Sequence, residues 1–310
     1  MDITILGCRG SYPVASAEVA RYGGDTTCLS VETSESLIIL DAGTGLRHLP
    51  APPPSIREAY LFLTHLHWDH ILGFAQCPLF DTRPDLTLHV YSLERTHDRF
   101  YAALERSISK PFHRRSFDDL LVDLKFHELK PSDSLLINDE VRVSCTLANH
   151  PYNALAFRLE TDNAALAFVP DTAPFDRYLF DEEIVYLETS LTTEQKRALV
   201  SRYDAFMDLT AGVDWLVYDA ALTPAEYERF PHWGHSTHQQ AIEMGLAAQA
   251  HETILFHHNP NRGDAELDAL YAQLQAQYPQ AHLRLAQGGM KLDNCLLYTS
   301  PSPRDVEESR

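Results

Sequence analysis

The segment His65-Leu66-His67-Trp68-Asp69-His70 constrains this chain more than any other. It places three imidazoles and a carboxylate within six residues, directly after the apolar run Ala59 to Leu63. A short buried strand ending in a loop turns alternate side chains toward one point, so His65 and His67 share a direction. Asp69 and His70 then fall on the turn into a helix. Nitrogen and oxygen donors at this density suit Zn²⁺ or a similar first-row ion, and the split into two pairs predicts two neighbouring sites. A surface histidine tract would lack the buried strand before it.

One cluster cannot complete two metal sites. Three further polar residues follow apolar runs: His150 after Val141–Leu147, Asp171 after Leu166–Val169 and His257 after Thr253–Phe256. Each alone reads as an ordinary loop residue. Together with the cluster they form a pattern of ligands gathered at strand ends.

The rest of the pattern predicts strands at Ile3–Leu6, Cys28–Glu32, Leu37–Leu40, Ala59–Leu63, Leu86–Tyr91, Val141–Leu147, Leu155–Glu160, Ala165–Val169, Trp215–Tyr218, Thr253–Phe256 and His282–Leu285. Helices are expected at Leu93–Ser107, Thr192–Leu209, Ser236–Gln249 and Asp264–Tyr278, the third opening on Ser236 and Gln239 in capping-box spacing. Strands cluster first and alternate with helices later, which predicts sheets packed together with helices outside. No Gly/Ser linker or repeat interrupts residues 1–294, which read as one domain.

Composition narrows the function. The 45% apolar content excludes disorder as the main state, and no run approaches the roughly 20 apolar residues of a membrane span. Asp2 after Met1, followed by a strand-length run, does not read as a signal peptide. A soluble, cytoplasmic protein without a membrane partner is expected. The 25 basic and 44 acidic residues give a net charge of −19, which makes extended nucleic acid a poor default partner. Cys8, Cys28, Cys77 and Cys145 contain no CxxC pair and read as reduced, buried thiols. Residues 295–305, CLLYTSPSPRD, resemble the translation of a transposase adapter used in sequencing libraries. Residues 295–310 are therefore expected to be an artefactual, disordered tail outside the fold.

HLHWDH resembles the HxHxDH signature of the metallo-β-lactamase fold superfamily, whose architecture is a four-layer αββα sandwich. GCRGSYP, RYGGDTTC, LDAGTG, WGHST and LFHHNP look like its ribonuclease-Z-like phosphodiesterase branch, and the likeness runs from residue 1 to about 294. The resemblance implies a binuclear centre. His65, His67 and His150 would hold one metal, Asp69, His70 and His257 the other, and Asp171 would bridge. His258 adjoins His257, but strand-end position favours His257. Two divalent ions about 3.5–4 Å apart can share a hydroxide that is nucleophilic at neutral pH. Zn²⁺ is expected, with manganese or iron as alternatives. The resemblance further implies that His235 is not a ligand but faces the scissile phosphate. Asp219, at the end of a strand, would orient that imidazole, and Asp69 counts with both as catalytic.

Departures from the family pattern bear on the substrate. Pro151-Tyr152-Asn153 stands where small residues are usual, and Tyr152 would narrow the mouth or stack on a base. Cys8 replaces a usual Thr and Asp25 a usual Asn. Phe175–Leu209 is longer than expected and would serve as a lid or the arm of a homodimer. Trp68 is expected to pack under the metal loop, and Arg9 and Arg21 to be solvated loop cations. His113-Arg114-Arg115 reads as an exposed helix end. Asp41 to Gly45 is read either as a glycine turn with Asp41 orienting its loop or as a phosphate nest. The expected activity is hydrolysis of a small or cyclic phosphodiester. Its rivals are a thioester or lactone hydrolase of the glyoxalase-II kind, a ribonuclease-Z-like RNA-processing enzyme, and a binding module with an inert metal site.

Overall fold

Leu37, Ile38, Ile39 and Leu40 are apolar at four successive positions, which a strand buried on one face alone would not need. The computed structural model describes residues 1–94, 97–111, 113, 116–176, 179 and 191–293. Its first half supplies β1 (Asp2–Gly7), β2 (Cys28–Glu32), β3 (Leu37–Leu40), β4 (Glu58–Phe62), the short helices α1 (Trp68–Ile71) and α2 (Leu79–Thr82), β5 (Thr87–Leu93), α3 (His97–Ile108) and β6 (Asp123–Leu129). The second half supplies β7 (Ser134–Ile137), β8 (Val141–Leu147), β9 (Leu155–Thr161), β10 (Ala164–Val169), α4 (Thr193–Thr210), β11 (Trp215–Asp219), α5 (Pro224–Arg229), α6 (His238–Ala247), β12 (Glu252–Phe256), α7 (Asp264–Gln277), β13 (Leu283–Leu285) and β14 (Lys291–Leu292).

These strands make two seven-stranded sheets, ordered β14-β1-β2-β3-β4-β5-β6 and β13-β12-β11-β10-β9-β8-β7. The chain closes on itself, because β14 returns to pair antiparallel with β1, setting Leu292 opposite Ile3. Period-2 alternation then sorts the core. Ile38, Leu40, Tyr60 and Phe62 of one sheet meet Leu166, Phe168, Ile254 and Phe256 of the other in a shared central layer. Their neighbours Leu37, Ile39 and Leu61 face outward onto Phe100 and Leu104 of α3. On the far side Ala167, Val169 and Leu255 meet Phe206 of α4, Ile242 of α6 and Leu267 of α7. The result is the expected αββα sandwich.

Several local expectations need correction. β6 and β7 were not predicted: β6 is a sheet edge that alternates polar with apolar residues, and β7 is an edge strand of only four residues with Leu136 exposed. α6 is capped one residue later than expected, by Thr237 with Gln240. Ser236 has another task, donating its hydroxyl to the Thr172 carbonyl at 2.7 Å. Trp68 does not pack beneath its loop; it is 71% exposed. Arg9 is fully buried, donating to the carbonyls of Gly23, Asn259 and Arg262, so it pins the N-terminal loop rather than meeting solvent. Arg21 is exposed as expected and pairs with Asp268. Within Phe175–Leu209, α4 is an outer layer of the sandwich, with Phe206 fully buried. Residues 177–178 and 180–190 of that stretch lie outside the described residues, as do Arg114, Arg115 and the tail from 294.

The four expected thiols are buried and free, and burial pushes Cys8, Cys77 and Cys145 up to about 12. Among the described residues no helix is long and apolar enough to cross a membrane.

Candidate metal centre

The polar residues singled out at strand ends converge at one edge of the sandwich. β4 runs out into His65–His70, β8 into His150, β10 into Asp171, β11 into Asp219 and β12 into His257. Parallel pairing of β10, β11 and β12 is what aligns the last three of these ends. Three groups with ligand-like spacing result among the described residues. One comprises His65, His67, His150 and Asp171, and another Asp69, His70 and His257. The third, Asp171, His235 and His257, draws on the same centre as the other two.

Asp171 stands between the first two. Its Oδ2 lies 3.8 Å from His65 Nε2 and 3.7 Å from His150 Nε2, while its Oδ1 lies 3.0 Å from His70 Nε2 and 3.2 Å from His257 Nε2. His67 Nδ1 faces His150 Nε2 at 3.2 Å, and Asp69 Oδ2 lies 3.0 Å from His257 Nε2. His258, the adjacent alternative, turns away and donates Nε2–H to the Ala286 carbonyl at 2.8 Å.

Partners on the far side of the rings fix their tautomers. Asp41, fully buried in a left-handed conformation (φ 61°), accepts from His70 Nδ1 at 2.8 Å and from the Thr64 backbone N–H at 2.8 Å. His150 Nδ1 donates to the Gly234 carbonyl at 2.8 Å. Both rings therefore turn Nε2 inward, the arrangement in which outer partners orient metal-ligating histidines. Of the two readings of Asp41–Gly45, the orienting one holds. The Gly234 carbonyl was not foreseen, since a backbone acceptor leaves no mark in composition. Glycine is required at Gly10 because a Cβ there would lie 2.4 Å from the His257 ring.

These residues fit divalent cations. His65 Nε2, His70 Nε2 and Asp171 Oδ1 are buried without a satisfied hydrogen bond, so polar atoms of ligand type converge where a cation would satisfy them. Burial pushes His150 down to about 3 and His65 well below the usual imidazole range, so both are neutral donors at pH 7. Burial would raise Asp69, but His70 and His257 outweigh it and hold the carboxylate ionised.

His235 is set differently. Its Nδ1 is 2.8 Å from Asp219 Oδ2, and a fully buried Asp219 has that oxygen 3.0 Å from the Thr172 N–H as well. Burial would lower the His235 pKa, but the charge and hydrogen bond of Asp219, with Asp171 beyond, lift it to about 9. His235 shares a 690 Å³ open pocket with His67, Asp69, Asp171 and His257.

Residues 37–258 match the model of the Beta-lactamase superfamily domain. The chain belongs to this metallo-β-lactamase superfamily. Ribonuclease Z of Brevibacillus brevis is 26% identical over 317 aligned positions, covering 91% of this chain and 94% of that protein. Among solved structures, the metallo-β-lactamase fold protein YhfI of Bacillus subtilis superposes with a TM-score of 0.65 at 16% identity, over 94% of this chain and 98% of its own. The short form of human tRNase Z gives 0.63 at 18% identity, over 94% and 99%. The superfamily member described here is a metal-dependent hydrolase. Its relatives overturn the expectation that extended nucleic acid is an unlikely partner, since they are ribonucleases. Net charge misled because −19 is a sum over the whole chain, whereas recognition depends on the local field. A centre built to hold divalent cations reverses that field at the site.

Proposed function

We propose that this protein hydrolyses phosphodiester bonds in RNA, in the manner suggested by its ribonuclease Z relatives. The observation that carries the reading is the His235–Asp219 pair beside Asp171, at 2.8 Å, in the same pocket as the metal-binding groups. A thioester hydrolase has no need of an imidazolium held protonated at that place. A phosphodiester does, because charge builds on the leaving oxygen.

In this reading His65, His67 and His150 would hold one divalent ion and Asp69, His70 and His257 a second, with Asp171, which faces both groups, serving the two. When bound, two such ions neutralise phosphoryl charge and provide a nucleophile at neutral pH. The chain's own residues do the rest. Asp41 and the Gly234 carbonyl hold the His70 and His150 rings in their inward-facing tautomers. Asp69 Oδ2 is held in turn by the Ser11 N–H at 2.6 Å. Asp219 keeps the proton on His235 Nδ1, which leaves the opposite ring nitrogen to donate to the substrate. His235 is thus the general acid, and Asp219 its positioning residue.

The test is a metal-supplemented hydrolysis screen over a transcript containing a transfer RNA, an unstructured oligoribonucleotide, a thioester and a lactone. Cleavage of RNA, lost on chelation, supports the reading. Turnover of the thioester or lactone alone overturns it.

A further inference from the structure

Six aromatic side chains are exposed among the described residues, and four of them border this one centre. Tyr12, Trp68 and Trp233 line the pocket, and the Tyr152 ring lies 6.4 Å from that of His67. Single exposed aromatics need no explanation, but a concentration of them around a reactive pocket does. The most ordered part is a stack. Phe230 and Trp233 lie face to face with ring centroids 4.1 Å apart and planes 12° from parallel. The Arg229 guanidinium sits 5.2 Å from the Phe230 ring centroid. The Trp233 N–H donates to the Phe230 carbonyl at 3.1 Å, so a backbone turn holds the two rings in register. Trp233 nevertheless remains 43% exposed.

We propose that the Phe230–Trp233 stack is a platform for the nucleobase next to the scissile phosphate, and that the substrate is single-stranded there. The inference rests on the phosphodiesterase reading above and deepens it. Among the described residues lining the pocket, Arg229 is the only Lys or Arg, so this lining offers no run of cations to track a phosphate backbone. With one cation in that described lining, RNA affinity there must come mainly from contacts other than phosphate pairing. Stacking on aromatic faces is such a contact, and it requires an unpaired base. Trp233 stands two residues before His235 in the sequence, so a base seated on it is carried by the same short loop that presents the proposed acid.

Two measurements test this. Trp68, Trp215 and Trp233 are the chain's three tryptophans, and Trp215 is buried. In a W68F variant, oligoadenylate should quench the emission, because Trp233 is then the one accessible reporter. An unquenched W68F overturns the platform. In the metal-loaded enzyme, thymidine 5′-(p-nitrophenyl phosphate) and methyl p-nitrophenyl phosphate share a leaving group and differ in the base. The ratio of their kcat/KM values should fall roughly ten- to a hundredfold in W233A, the range of one base–aromatic stack, and recover in W233F. A ratio unchanged in W233A shows a structural role and overturns the proposal. Quenching in W68F with neither ester hydrolysed by the wild type would uphold base binding while removing the phosphodiesterase reading.

Discussion

His235 Nδ1 and Asp219 Oδ2 stand 2.8 Å apart, one from a helix-start loop and the other from the end of β11. The contact joins a ring whose pKa is lifted to about 9 to a carboxylate with no solvent exposure. His235→Ala should retain metal content and melting temperature but lower phosphodiester turnover roughly 10²–10⁴-fold, the usual range for general acid help. Asp219→Asn should cost less, and the double variant less than the product, because the pair acts as a unit. Activity should fall as pH rises through about 9, where His235 loses its proton, and Asp219→Asn should bring that fall to lower pH. Wild-type turnover in His235→Ala with intact metals removes the general-acid role.

Asp171 faces both ligand groups, one with each carboxylate oxygen. About two metal ions per chain are expected by elemental analysis, and Asp171→Ala should deplete both sites together. Loss of one ion with the other fully retained contradicts the bridge.

Gly10 leaves the room that the His257 ring occupies. Gly10→Ala forces that imidazole to shift and should weaken metal binding by roughly 10–100-fold, as loss of a supporting contact does. Competition against a chelator measures it, and an unchanged affinity would show that His257 is not needed for binding.

Acid should destabilise the fold well before its carboxylates titrate. Burial lowers His238 to about 4 and His258 to about 3, so both stay neutral in the folded chain. The unfolded chain takes up their protons near pH 6.5, so stability falls as pH drops from there toward 4 and then 3. Each residue contributes a slope of up to about 1.4 kcal/mol per pH unit. Urea unfolding at pH 7, 6 and 5 reads the slope, and His238→Gln should reduce it by about one proton. A slope insensitive to that change would mean that His238 ionises inside the fold.

β14 pairs with β1 and buries Leu292 to 1% exposure. Ending the chain after Asn294 should therefore leave melting temperature and activity unchanged. Ending it after Met290 should lower the melting temperature by several degrees, because a sheet edge and a buried leucine are lost. A comparable loss from the longer truncation product would place residues 295–310 within the fold.

The candidate metal ligands were legible in the sequence because each follows an apolar run, and a chain leaving a buried strand emerges at a sheet edge. His65, His67, Asp69, His70, His150, Asp171 and His257 all carry that local signal. The apolar periodicity likewise set the sandwich, since strands with two buried faces admit few layer arrangements. Edge strand β6 escaped notice because it is half polar, and β7 because four residues give too short a pattern. Only the tertiary structure could pair Asp41 with His70 and Gly234 with His150, since these contacts join segments whose separation is set by sheet order, whereas the Asp219–His235 pair was implied by the family resemblance. It also decided exposure, turning Trp68 outward and burying Arg9 against three carbonyls. Residue type predicts what a side chain prefers, but which side of a loop faces water is settled when the neighbouring segments pack against it.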